Sequence, residues 1–445
     1  MLLRAGSVAA FGAVSGVSMQ PAFASRDRTP GRAKSVIVLF LLGGPPQHST
    51  WDPKPLAPAE VRGEIEPIAT NVPGLMIGEL MPQTAGIADK LAVLRAVVTG
   101  DNAHSSSGYF MMTGVPHVPQ NRENANPGAP NDHPTIGAVV QQLTSARPLL
   151  PAAIRLPHHI YNTDGSVWPG QDSGWLGHAA DPWLFNCEPA SPDFDVPQFR
   201  LSADVTLDRL SQRRTLLTQM DDQLRQIERR GALDKYGGEQ RQVFDLLSTA
   251  KARSACDLGQ ETDDTRDRYG RSQFGQSVLL ARRLVEADVQ FVQVNWFRGP
   301  DEPSDNPCWD SHTNETARLK TALVPPLDMA LAALFTDLER SGRLDETLVV
   351  CTAEFGRTPN FNARGGRDHW GNVFSIALGS GGIRGGQVIG SSDEQAAWPA
   401  SRIVRPQDVT ATIFHQLGYA PHTEIHDPTG RPLPVSRGEV IREIV

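Results

Sequence analysis

Ser35–Leu42, SVIVLFLL, runs straight into Gly43-Gly44-Pro45-Pro46, and the reading of this stretch decides the fold. A short apolar run without alternation is what a strand buried on both faces requires, because a parallel sheet is covered by helices on each side. The Gly-Pro cluster behind it imposes a turn. Comparable runs recur at Leu91–Leu94, Val289–Val294, Thr347–Cys351 and Val373–Leu378, each bounded by polar or glycine-containing segments.

Helical patterns lie between them. Leu207, Leu210, Leu217, Met220, Leu224 and Ile227 fall at helical intervals within Val205–Arg230, which predicts an amphipathic helix ending near Gly231. Further helices are expected around Glu239–Ala252, Ser272–Glu286, Leu323–Ser341 and Gln407–Gly418. Helices alternating with continuous apolar strands indicate a layered α/β fold with a largely parallel sheet. The stretch from about 103 to 202, rich in Pro, Asn, His and Trp, has little periodicity and reads as a loop-rich insertion over the active face.

The chain has 445 residues, which the pattern assigns to one domain from residue 31 to the end. A formal charge of −8 offers no basic footprint for a phosphate backbone, which argues against nucleic acid as a partner. Cys187, Cys256, Cys308 and Cys351 show no paired spacing, so a zinc ribbon or redox dithiol is excluded; Cys351 reads as a buried thiol. Residues 1–30 differ in kind: Arg4, a small-residue apolar stretch, then Ala22-Phe23-Ala24 resemble a signal peptide, its Gly- and Ala-rich core being of the twin-arginine type although a single Arg precedes it. The expected location is therefore periplasmic or cell-envelope, with no transmembrane segment in the mature chain.

In open parallel sheets ligands gather beyond the carboxyl ends of strands. That rule selects Trp309-Asp310-Ser311-His312, Ala353-Glu354-Phe355-Gly356-Arg357-Thr358-Pro359 and Gly366-Arg367-Asp368-His369-Trp370. Carboxylates and imidazoles together suit a divalent transition metal, which takes oxygen and nitrogen donors in one shell. Each group also has an ordinary structural role open to it, such as a loop hydrogen bond, a helix cap or an ion pair. His48 and His133 read as solvated loop residues, and Asp52 as the start of a turn with Pro53.

The segments GGPPQHSTWDPKP (Gly43–Pro55), DNAHSSSGYFMMTG (Asp101–Gly114), WDSH (Trp309–His312), LDETLVVCTAEFGRTP (Leu344–Pro359) and GRDHW (Gly366–Trp370) resemble, in that order, the family labelled domain of unknown function 1501. That family is grouped with the alkaline phosphatase and sulfatase superfamily. The resemblance implies an alkaline phosphatase-like three-layer sandwich with a metal centre at these strand ends. It assigns Asp310, His312, Glu354, Asp368 and His369 to a divalent metal, zinc in the first instance, with Mn, Ca or Mg as alternatives. His104 or Ser105 stands near the attacking atom, and Arg357 and Arg367 either clamp an anionic ester or pair with Glu354 or Asp368. Ser105 or Ser106 reads equally as a helix N-cap. Phe355 replaces one imidazole of the superfamily's set, Leu42 replaces an Asp before Gly43, and no Arg follows His104, so a formylglycine sulfatase is not implied. The expected activity is hydrolysis of anionic phosphate or sulfate esters, small or carried on a glycan. The competing expectation is a catalytically degenerate member that binds a glycan or envelope partner.

Overall fold

The computed structural model describes residues 31–144, 150–192, 194, 250–297 and 308–445. The leader-like segment, the helix expected over Val205–Arg230 and most of the one expected over Glu239–Ala252 lie outside them. The central sheet is built from β1 (Ser35–Phe40), β2 (Leu91–Val97), β3 (Ala153–Leu156), β4 (Trp183–Leu184), β5 (Phe291–Asn295), β6 (Thr347–Thr352), β7 (Phe374–Gly379) and β8 (Gln387–Ile389). Their order across the sheet is β8-β2-β7-β6-β1-β5-β3-β4. β1 pairs in parallel with β5 and β6, β5 with β3, β3 with β4, and β2 with β8. Among the described strands of this sheet, β7 alone runs against its neighbours, wedged between β2 and β6.

Every residue of β1 is buried, as its uninterrupted apolar run requires. Strand side chains alternate between faces, so Ile37, Leu39 and Leu41 join one core with helices α3 (Gln273–Glu286) and α4 (Val324–Arg340). Val36, Val38 and Phe40 join the other, against α1 (His104–Thr113), α2 (Ile136–Leu143) and α5 (Pro406–Gln416). The result is a three-layer α/β sandwich. The helical run Glu315–Arg340 is long and apolar enough to cross a membrane on length and composition, but 67% of its most apolar window is buried inside the fold.

The region from 103 to 202 is more than an insertion of loops. It supplies α1, α2 and two parallel strands of the sheet, β3 and β4. Their brevity, and the prolines around them, hide them from periodicity. All four cysteines are buried, and none is in a disulfide among the described residues.

Candidate metal centre

The carboxyl ends of β1, β2, β5 and β6 deliver Gly43, His104, Asp310 and Glu354 to one edge of the sheet. Because β7 is antiparallel, its amino end lies on that same edge. His369 precedes it in a short ribbon in which His369–Trp370 pairs with Gly356–Arg357. Two loops are locked together where Trp309 donates its backbone N–H to the Leu42 carbonyl at 2.9 Å. The Gly43 backbone has φ +111°, and a Cβ there would meet the Asp310 nitrogen at 2.3 Å. Gly43→Ala is therefore expected to cost about 2–3 kcal/mol of stability, since either the backbone or the Asp310 loop must move; chemical denaturation checks it, and an unchanged midpoint would refute the close approach.

Asp310 is the hub. Its Oδ1 accepts from Arg357 Nη2 at 2.7 Å and lies 3.0 Å from both His312 Nε2 and His369 Nε2, while Oδ2 lies 3.2 Å from His104 Nε2. Burial would raise the Asp310 carboxyl, but His104 and Arg357 outweigh it and hold it well below the usual carboxylate range.

The far side of each imidazole decides which nitrogen is bare. His369 Nδ1 is 2.8 Å from the Asn102 carbonyl, which can only accept, so Nδ1 carries the hydrogen. Burial and the positive charge of His104 lower His369 to about 3, so the ring is neutral and its Nε2 presents a lone pair. His312 Nδ1 is 3.0 Å from Asp368 Oδ1. Burial would raise Asp368, but the bonds from His312 and Asn362 outweigh it and keep the carboxyl low, so it too accepts. That contact turns the Nε2 of His312 inward, 3.0 Å from that of His369. Two ring nitrogens and a carboxylate oxygen thus converge on one point. Tetrahedral bonds of about 2.0–2.1 Å would place such donors roughly 3.3 Å apart, close to the spacing found. An acceptor on Nδ1 that fixes tautomer and orientation is the usual arrangement behind a metal-binding His. The residues present thus fit a divalent metal.

His104 is wired similarly, with Nδ1 2.8 Å from Glu354 Oε1 and Nε2 facing Asp310. His104, Asp310 and His369 each offer a ligand atom within 4.8 Å of the others. Burial opposes charge on His104, yet the carboxylates of Asp310 and Glu354 prevail and raise it to about 10. Both ring nitrogens face carboxylates, an arrangement that favours the charged ring.

Of the residues named from the sequence, Asp310, His312 and His369 meet at one point. Asp368 and Glu354 stand behind His312 and His104 instead; Glu354 Oε1 is also held by the Gly43 N–H at 2.8 Å. Ser105 turns away, its Oγ donating to the Arg122 carbonyl and accepting from Ala125 N–H, both at 2.9 Å. Ser106 bonds Asp101 and Ser107 bonds the Glu354 carbonyl. The residue preceding the helix is Ala103, so neither Ser105 nor Ser106 is its N-cap. Helix α1 starts two or three residues earlier than capping preference suggests, which turns these hydroxyls into packed contacts.

Arg357 is fully buried and bonds the carbonyls of Gly43, Gly44, Trp309 and Arg367 besides Asp310. Arg367 is equally buried, paired with Glu315 at 3.0 Å and bonded to the carbonyls of Val61, Thr358 and Pro359. Neither can clamp a substrate, and neither pairs with Glu354 or Asp368. One other expectation also changes. His48 is buried, with Nε2 on the Gln395 carbonyl at 2.9 Å. Asp52 pairs with Lys54 at 3.1 Å and with Arg95 at 3.4 Å.

A narrow cleft of about 50 Å³ opens beside His104 and Asp310, walled by Glu123, Asn124, Tyr161, Thr163 and Trp168. No periodicity or motif in the sequence pointed to these wall residues.

Fold and site together define a three-layer α/β protein with a His- and Asp-lined candidate metal centre at the carboxyl ends of its parallel strands. The chain belongs to the family described as Protein of unknown function (DUF1501), whose model matches residues 33–445. No curated protein matches its sequence. Among solved structures it is similar to a phosphonate monoester hydrolase from Silicibacter pomeroyi, at 12% identity and a TM-score of 0.40 over 92% of this chain and 76% of that one. It is also similar to the lipoteichoic acid synthase LtaP from Listeria monocytogenes, at 10% identity and a TM-score of 0.40 over 89% and 76%. A third is the PsFucS1 sulfatase from Pseudoalteromonas sp., at 13% identity and a TM-score of 0.38 over 88% and 68%.

Proposed function

We propose that the chain is an exported, metal-dependent hydrolase of phosphate or sulfate esters of the alkaline phosphatase and sulfatase type. The observation that carries this reading is the meeting of two outward-anchored imidazoles on the Asp310 carboxylate. Asp310, His312 and His369 would hold the metal. Two nitrogens in the shell favour zinc over calcium or magnesium, which prefer oxygen. When bound, the metal supplies Lewis acidity and offsets the charge that grows on a transferring phosphoryl or sulfuryl group.

The chain's own groups do the rest. Asp368 and the Asn102 carbonyl hold the tautomers. Phe355 stacks on His369 with ring centroids 4.6 Å apart and shields that side from water. Arg357 offsets the charge of Asp310 from below. His104 lines the cleft, and its Nε2, 3.2 Å from Asp310 Oδ2, would pass a proton to a leaving oxygen that takes the place of that contact. The leader-like pattern of residues 1–30 supports export to the periplasm or envelope.

Elemental analysis of the purified protein tests the reading first. A bound transition metal near one equivalent, with turnover of aryl phosphates or sulfates, is expected; metal-free protein that stays inert after metal addition would sink it. His104→Ala is expected to keep its metal while kcat falls by about 10²–10⁴, and metal loss in this variant would move His104 into the coordination shell. Among the described residues no Lys or Arg lines the cleft, which favours one second reading, a member that binds a glycan or envelope partner without turnover. Retained metal with no hydrolysis of any ester would establish it.

A further inference from the structure

Helix α1 begins at His104 without a cap of its own. A helix start leaves its first amides without intrahelical acceptors, and a Ser, Thr, Asp or Asn just before it usually supplies one. Here that residue is Ala103, and no side-chain bond caps the helix from it. The acceptor comes instead from 19 residues further along: Glu123 Oε1 takes the His104 backbone N–H at 2.9 Å. A carboxylate at a helix start is also favoured by the helix dipole. The neighbours of Glu123 bring it there. Arg122 donates its backbone N–H to Ser106 Oγ at 3.0 Å and accepts the Ser105 hydroxyl on its carbonyl at 2.9 Å, while Asn102 donates its N–H to Asn121 Oδ1 at 2.8 Å. Asn121 and Asn124, on either side, have φ of +54° and +51°, a left-handed conformation that Asn adopts more readily than most residues, and so turn the chain. The serines at the start of α1 thus fasten a loop, and the missing cap arrives with it.

The same turn serves two rings of the candidate metal centre. His104 is its last residue, with ring nitrogens on Asp310 and Glu354. Asn102 holds the ribbon of His369 by two atoms: its carbonyl lies 2.8 Å from His369 Nδ1, and its Oδ1 accepts the Gly371 N–H at 2.6 Å. Glu123 Oε1 itself lies 3.8 Å from His369 Nδ1. We propose that Glu123 is a positioning residue: by capping helix α1 from a distant loop it fixes the turn 102–104, and with it the direction in which His104 and His369 face Asp310. This deepens the hydrolase reading, on which the catalytic use of that placement rests.

The test compares the purified full chain with Glu123→Ala, which removes the acceptor, and Glu123→Gln, which keeps one without the charge, each stripped of metal. Hydrogen–deuterium exchange at the His104 amide reads the cap. The rate at which diethyl pyrocarbonate carbethoxylates the His104 ring, located by mass spectrometry, reads the placement. In Glu123→Ala both rates are expected to rise about tenfold, the size of effect that loss of a helix cap produces, and in Glu123→Gln to stay within about threefold of wild type. His48, buried in another loop, should stay unlabelled throughout. A wild-type labelling rate in Glu123→Ala, no recovery in Glu123→Gln, or labelling of His48 together with His104 would overturn the proposal. Neither readout needs turnover or a metal, so a chain that takes up no zinc but shows this pattern refutes the hydrolase reading alone. A chain that binds zinc and hydrolyses esters, yet labels His104 equally in wild type and Glu123→Ala, refutes only this one.

Discussion

Alanine in place of His369 or His312 is expected to yield a folded protein that no longer retains a transition metal. Each change deletes one of two ring nitrogens that lie 3.0 Å from Asp310 Oδ1. Groups that merely orient a metal-binding His already cost about 10–100-fold in affinity when removed, so loss of the ring itself should exceed about 100-fold. Asp368→Asn gives the graded control. It keeps an acceptor for His312 Nδ1 but drops its charge, and a weakening of about tenfold is expected. Metal content after dialysis against a weak chelator, read by mass spectrometry, separates the three proteins. If wild type and both alanine variants carried the same metal load, the ion would sit elsewhere and the centre would be a hydrogen-bonded cluster only.

The largest effect on stability is expected at the Glu315–Arg367 pair, whose side chains are both 0% exposed. Burial pushes the Glu315 carboxyl upward, and the guanidiniums of Arg367 and Arg357 oppose that shift. Removing either partner strands the other's charge in a low-dielectric interior, which costs about 3–5 kcal/mol. Arg367→Ala should lie at the upper end, because the carbonyls of Val61, Thr358 and Pro359 also lose their donor. Urea denaturation of Glu315→Ala and Arg367→Ala measures it, and a loss below about 1 kcal/mol in both would show that the pair is solvated or dispensable. The consequence reaches the metal centre. Arg367 donates its backbone N–H to the Ser311 carbonyl at 3.1 Å, so the pair ties the loop carrying Asp310 and His312 to the one carrying Asp368 and His369. Metal affinity should therefore fall in these variants although neither residue touches the ion.

Much of this was legible in the chain before folding. The apolar runs near 35, 91, 291, 347 and 374 are long enough, and flanked clearly enough, to declare strands, and the helices 273–286, 324–340 and 406–416 follow from their spacing. The strand-end rule also located the polar motifs that meet at Asp310. Less was legible where elements are short: β3 and β4 have four and two residues, too few for any period to register. The reversed direction of β7 carries no local signature, since an apolar run reads alike both ways.

The sequence by itself determined that this is a layered α/β protein and which loops carry its carboxylates and imidazoles, because burial on two faces and the breaking of strands by Gly and Pro are local properties of consecutive residues. Only the tertiary structure decided what each polar group does. It set Asp368 and Glu354 behind the rings rather than among the donors, sealed Arg357 and Arg367 under the site, turned Ser105 aside and brought Glu123 and Tyr161 to the cleft. The role of a carboxylate, a guanidinium or an imidazole depends on which partner from a distant part of the chain takes each of its lone pairs and hydrogens, and that is settled by packing.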